Sequence, residues 1–187
     1  MKFLIVFLST LIVGISSQLV LPKYPDVVPL AKFDVQKILG PWHVYAAIPN
    51  AYEPAQSCNN LLMSLNYDGS IQFSVSFLNR LTGAKNTWAP VGYPIPGGLP
   101  SQFNIKMPPL AYQRDTVGSV LDTDYNSFAL IELIQITEKG ILQYVWLVTR
   151  SPTPNEACLN SAFAALARNN IKATSLEIIP QKPCPAY

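Results

Sequence analysis

From Trp42 onward the chain alternates short apolar runs, rich in Ile, Val, Phe and Tyr, with polar turn words: Asp68-Gly69, Thr82-Gly83, Pro96-Gly97-Gly98 and Lys139-Gly140. Runs of this length bounded by Gly, Pro and Asp read as β-strands joined by tight turns. Eight are predicted, over residues 42–48, 60–67, 70–78, 87–93, 102–107, 117–122, 127–137 and 141–150. Their even spacing predicts an up-and-down antiparallel meander. Closed on itself, an eight-stranded sheet has no free edge and leaves an interior wide enough for one small ligand. The expected fold is therefore all-β, an eight-stranded antiparallel barrel with a C-terminal helix packed outside.

That helix opens at Pro154-Asn155-Glu156, where Thr153 or Asn155 can cap it and Pro154 suits its first turn. It runs Ala-rich to Arg168, with Leu159, Phe163 and Leu166 on the face expected to meet the barrel wall. Residues 175–179 add a short ninth strand, and 180–187 form a tail. Upstream, residues 18–34 carry Pro22, Pro25 and Pro29 and predict an extended arm, because proline removes a backbone donor and breaks both ladder and helix. Residues 1–17 combine Lys2, an apolar stretch too short for a comfortable membrane span, and small residues at Gly14 and Ser16. This is the pattern of a secretory signal peptide. The expected product is a secreted, extracellular protein with no membrane span, one domain over residues 35–187 behind its arm.

Charge changes the picture little. The chain has 13 basic and 11 acidic side chains, so losing Lys2 leaves 12 against 11 and takes the net charge from +2 to +1. Nucleic acid, which calls for a basic stripe, is not an expected partner. Composition adds more: charged residues make up 13% of the chain, about half the usual share, while apolar ones reach 49%. Such an excess suits a fold with two apolar surfaces, a packed shell and a lined cavity.

Three words stand out from the strand pattern. Leu39-Gly40-Pro41-Trp42 opens the first strand, Thr123-Asp124-Tyr125 makes a turn about two-thirds along, and Arg150 ends the eighth strand before Ser151-Pro152. Ile48-Pro49-Asn50-Ala51-Tyr52-Glu53 follows the first strand. In this order and spacing they resemble the signature motifs of the lipocalin family, most nearly its apolipoprotein D and insect bilin-binding members, over roughly residues 35–185. The resemblance implies that Trp42 sits at the closed floor of the barrel with the Arg150 guanidinium over its face, a cation–π contact. It places Thr123, Asp124 and Tyr125 at the same end, with Asp124 accepting backbone N–H bonds. Gly40, Trp42, Thr123, Asp124, Tyr125 and Arg150 are then structural, and the ligand is chosen elsewhere.

Three cysteines in a secreted chain allow one internal bridge and one leftover thiol. The resemblance selects Cys58 and Cys184, which occupy the places of the family bridge between the tail and the second strand. The family's second bridge has neither partner here, since the arm lacks Cys and the aligned strand position is about Ile134. Cys158 is expected as a small buried residue on the helix's inner side, the alternative being an intermolecular disulfide. His43, the one histidine, alternates outward if Trp42 points in, so haem ligation inside the cavity is not expected. No H-E-x-x-H, C-x-x-C, Gly-rich phosphate loop or EF-hand pattern occurs, so neither metal nor cofactor is expected.

In the resembled fold the open mouth is formed by four loops, here residues 49–58, 79–85, 107–116 and 138–140. Their candidate ligand contacts are Tyr52, Leu81, Met107, Leu110 and Tyr112, with Tyr52 and Tyr112 able to bond a polar head group. Alternation from Trp42 adds Val44 and Ala46 as cavity residues, and alternation from Arg150 adds Tyr144, Trp146 and Val148. The implied function is carriage of a small hydrophobic ligand such as a fatty acid, sterol, retinoid or bilin-type pigment. The alternative is a secreted interaction or sequestering protein with little small-ligand role. The resemblance extends to the lipocalin-type prostaglandin synthase, but its chemistry needs a thiol facing the cavity, and neither Cys58 nor Cys158 is expected there.

Overall fold

The computed structural model describes residues 20–50, 53, 55–107 and 116–184. The expected signal peptide, residues 1–17, lies outside them. In chain order the elements are β1 (Val20–Leu21), α1 (Val35–Ile38), β2 (Gly40–Ala47), β3 (Gln56–Leu65), β4 (Ile71–Asn79), β5 (Lys85–Trp88) and β6 (Val91–Pro94). They continue with β7 (Gln102–Lys106), β8 (Thr116–Thr123), β9 (Phe128–Thr137), β10 (Gly140–Thr149), α2 (Glu156–Arg168), a 3₁₀ turn (Ala173–Ser175) and β11 (Glu177–Ile178).

Antiparallel pairing runs from β2 through to β10, and β10 then pairs back with β2, closing an eight-stranded barrel. The fourth predicted strand is divided in two. Both β5 and β6 pair with β4, on either side of Ala89-Pro90, where proline supplies no ladder donor. The arm does more than precede the barrel. Val20 and Leu21 pair with Leu142 and Ile141 of β10, and Leu30 N–H donates to the Val120 carbonyl at 3.2 Å. Between them Val28 N–H donates to the Asn169 side chain at 3.1 Å, tying the arm to the end of α2.

The wall is apolar on both faces. Inward, Trp42, Val44, Met63, Ile71, Phe103, Ile105 and Ile131 belong to one buried cluster. Outward, Leu121, Phe128, Leu130, Val145 and Leu147 meet Cys158, Ala162, Ala165 and Leu166 of α2. This corrects the predicted helix face. Leu166 is buried, but Phe163 is 42% exposed, and alanines rather than large side chains carry the contact. Small residues let the helix come close to a wall already filled by Leu and Phe, the interlocking that dense interiors require. Asn155 is the N-cap, accepting from Cys158 N–H at 2.9 Å, so Pro154 precedes the helix instead of entering its first turn.

A β-bulge alters one further expectation. On β2, Ala46 pairs with Leu147 and Val44 with Val148, leaving Tyr45 as the extra residue. The added residue reverses the alternation, so Tyr45 and Ala46 both pack on the outer cluster and Ala47 returns inward. Ala46 is therefore not a cavity residue. A second irregularity lies in β3 between Ser57 and Asn60, where Cys58 takes φ +50° and bonds Cys184 across 126 positions of sequence. Cys158 is a free, buried thiol whose Sγ donates to the Ser127 carbonyl at 3.6 Å, outside the barrel.

Candidate ligand-binding cavity

The closed end is built from the sequence words around Trp42. The indole is buried, donates from Nε1 to the Ile38 carbonyl at 2.8 Å, and lies 3.6 Å from the Arg150 guanidinium carbon. Arg150 spends its donors on three carbonyls: Tyr125 at 3.2 Å, Pro41 at 2.9 Å and Lys37 at 3.1 Å. Gly40 has φ +97°, and a Cβ there would come within 3.3 Å of Arg150 Nη1, which accounts for glycine two places before the tryptophan. Asp124 Oδ1 accepts the backbone N–H of Asn126, Ser127 and Phe128. Burial pushes the Asp124 carboxyl up, but these bonds and the Ser127 hydroxyl hold it below the usual value. Under Trp42, α1 is capped by Asp34, and Phe33 and Ile38 complete the floor.

Above that floor the barrel interior holds a cavity of about 70 Å³. The space is small. Its wall includes residue pairs two apart on β3, β4, β7 and β9: Leu61 and Met63, Phe73 and Val75, Phe103 and Ile105, Ile131 and Leu133. Trp88, Pro90 and Val120 complete it. Alternation would have found these pairs had it been carried from the first and last strands around the whole sheet.

Among the expected ligand contacts, Val44 and Trp146 line the free space. Tyr144 and Val148 are buried in the inner cluster without bordering it, Tyr144 stacking on Trp146 at 6.0 Å between ring centroids. Met107 is buried in the same cluster at the end of β7. Leu81 is 83% exposed in the turn after β4 and touches no cavity. Tyr52, Leu110 and Tyr112 lie outside the described residues. His43, between inward Trp42 and Val44, faces away from the cavity.

Glu53 is the residue the sequence reading passed over as a candidate. It stands in the β2–β3 connection, is 3% exposed, and borders the cavity. Its Oε2 accepts the Trp146 indole N–H at 2.7 Å and its Oε1 accepts Asn59 Nδ2 at 3.3 Å. Its own N–H donates to Asn50 Oδ1 at 3.1 Å, folding the connection inward. Burial pushes the Glu53 carboxyl up, opposed by hydrogen bonds from Trp146, Asn59, Asn50 and Gln56, all uncharged. A second buried carboxyl, Glu132, alternates to the outer side of β9, where Gln143 Nε2 donates to it at 2.6 Å. Burial pushes it up to about 7. Among the described residues no group of three or more His, Cys, Asp or Glu is placed to hold a metal, and no helix is long and apolar enough to cross a membrane.

No family model matches the chain. Over 172 residues it is 27% identical to apolipoprotein D of Bos taurus, spanning 88% of this chain and 86% of that protein. Insecticyanin from the tobacco hornworm Manduca sexta superposes with a TM-score of 0.74 at 19% identity, over 87% of this chain and 89% of its own. Lobster apocrustacyanin A1 superposes with a TM-score of 0.65 at 19% identity, over 79% of each chain.

Proposed function

We propose that this chain, a lipocalin of the apolipoprotein D and bilin-binding kind, is a secreted carrier that binds and transports a small hydrophobic molecule inside its barrel. One observation carries the reading: a closed barrel whose cavity wall is apolar except at Glu53 and Ser119. Burying apolar ligand area against such a wall contributes roughly 25 cal/mol per Å², and a few polar groups suffice for orientation. Val44 and Trp146 would touch the ligand within, and Tyr52, Met107, Leu110 and Tyr112 would meet it at the mouth. Secretion is supported by the apolar leader at residues 1–17 and by a disulfide of the sort that persists in oxidising compartments. No reaction is needed, and the free Cys158 thiol lies on the outer helix, away from the cavity.

The small volume of the free space, about 70 Å³, favours one second reading, a sequestering or protein-binding lipocalin that carries no small molecule. Native mass spectrometry with an absorption spectrum, on protein from its natural source, separates the two. A co-purifying lipid or chromophore of defined mass supports the carrier. A ligand-free mass, with no uptake of the neutral probes retinol and Nile red, supports the second reading.

A further inference from the structure

We propose that Glu53 makes the cavity a charge filter, which admits neutral and cationic apolar molecules and rejects carboxylates. This inference rests on the carrier reading and narrows it to a ligand class. Among the described residues, no side chain bordering the cavity is Lys, Arg or His, and Glu53 is the ionisable one. The ion pairs of the described chain, Lys37 with Asp34 and Arg168 with Asp122, lie away from the cavity wall. The groups around the Glu53 carboxyl are an indole and three side-chain amides, which supply hydrogen bonds without charge.

A carboxylate ligand drawn into this space leaves its hydration shell and meets no cation among the described wall residues, only a carboxyl that burial already pushes toward its protonated form. Buried charges without partners are strongly disfavoured. An ammonium, by contrast, supplies the counter-charge that none of the described wall residues offers, so that Glu53 can give up its proton and hold a charge beside it, and the low local dielectric strengthens that attraction. An alcohol pays neither cost. Trp146 makes the arrangement directional, because its Nε1 holds one carboxyl oxygen against the wall while the indole itself borders the cavity. A purely structural glutamate, holding the β2–β3 connection, would be replaceable by glutamine, whose carbonyl oxygen also accepts the Trp146 N–H.

The test uses full-length protein loaded with the neutral dye Nile red, displaced by adamantanol, adamantylamine and adamantane carboxylate. These compact probes share one skeleton and have no tail that leaves the head group in water. The alcohol and amine are expected to displace the dye at concentrations at least about tenfold below the carboxylate. In Glu53→Gln the amine loses its advantage over the alcohol, while the carboxylate, still offered no cation, stays weak. Equal displacement by all three in the wild type, or an unchanged amine-to-alcohol ratio in Glu53→Gln, would overturn the filter. Should Glu53→Gln fail to fold by circular dichroism, Trp146→Phe keeps the carboxyl and must keep the amine preference; its loss counts against the proposal. Failure of Nile red itself to bind would instead sink the carrier reading, and the filter with it.

Discussion

Leu130 and Ile131 are neighbours on β9 and point to opposite sides of the same wall. Leu130, fully buried, packs in the outer cluster with Cys158, Ala162, Ala165 and Leu166 of α2. Ile131 borders the cavity, which Phe73, Trp88 and Phe103 also line. One strand thus holds stability on its outer face and ligand space on its inner one. The division follows from packing: a small-residue helix can settle onto a sheet until no void remains, whereas bulky side chains around a closed barrel cannot converge on its axis. Each face also buries one carboxyl without a cation, Glu53 inside and Glu132 outside.

The largest expected contrast is between the two neighbours. Leu130→Ala should cost about 4 kcal/mol in urea unfolding, while Ile131→Ala should cost about 2 kcal/mol, since its side chain already lacks partners on one side. Ile131→Ala should also take up larger apolar probes. Equal losses would dissolve the distinction between the faces.

The outer carboxyl gives the next effect. With a folded value of about 7 against 4.5 unfolded, Glu132 keeps its proton in the folded chain while the unfolded chain loses it. Stability is then unaffected below pH 4.5, falls as pH rises from about 4.5 to 7, and stays lower above, by about 3 kcal/mol for this group. Glu132→Gln should remove most of that slope in melts taken at a series of pH values. Glu53, also raised by burial, contributes in the same direction. A wild-type stability rising across this window would refute the assignment.

Smaller effects belong to the Gly40 and Arg150 side of the floor, which does not border the cavity. Arg150→Lys forfeits the planar stack on Trp42 and part of its three carbonyl contacts, for about 2 kcal/mol, with ligand affinity unchanged. Gly40→Ala sets a side chain at φ +97° against the guanidinium and should cost about 1 kcal/mol by thermal melting. A large loss of ligand affinity in either variant would show that the floor shapes the cavity after all.

Much of this was legible in residue order. The apolar runs located the eight strands, the Gly-x-Trp, Thr-Asp-Tyr and terminal Arg words located the floor, and alternation brought Val44 and Trp146 to the cavity. These features depend on local chemistry: side-chain period, turn residues, and a glycine where φ is positive. What escaped depends on pairing partners. The extra residue Tyr45 exists only relative to β10, so no strand pattern could announce that Ala46 turns outward. Phe163 is left in solvent because the wall beneath α2 is already full, which the helix's own sequence does not record.

Glu53 shows the same limit most sharply. A glutamate in a loop between strands reads as a solvated residue, because charged side chains are rarely buried. Its interior position depends on the Trp146 indole, 93 positions away, and on amides at Asn50 and Asn59 that meet it after the barrel closes. The sequence alone therefore determined the barrel and its floor, since both follow from short-range periodicity and local hydrogen bonding. Only the closed tertiary structure decided which wall faces the cavity, which packs the helix, and where a lone carboxyl is held, because each depends on partners distant along the chain.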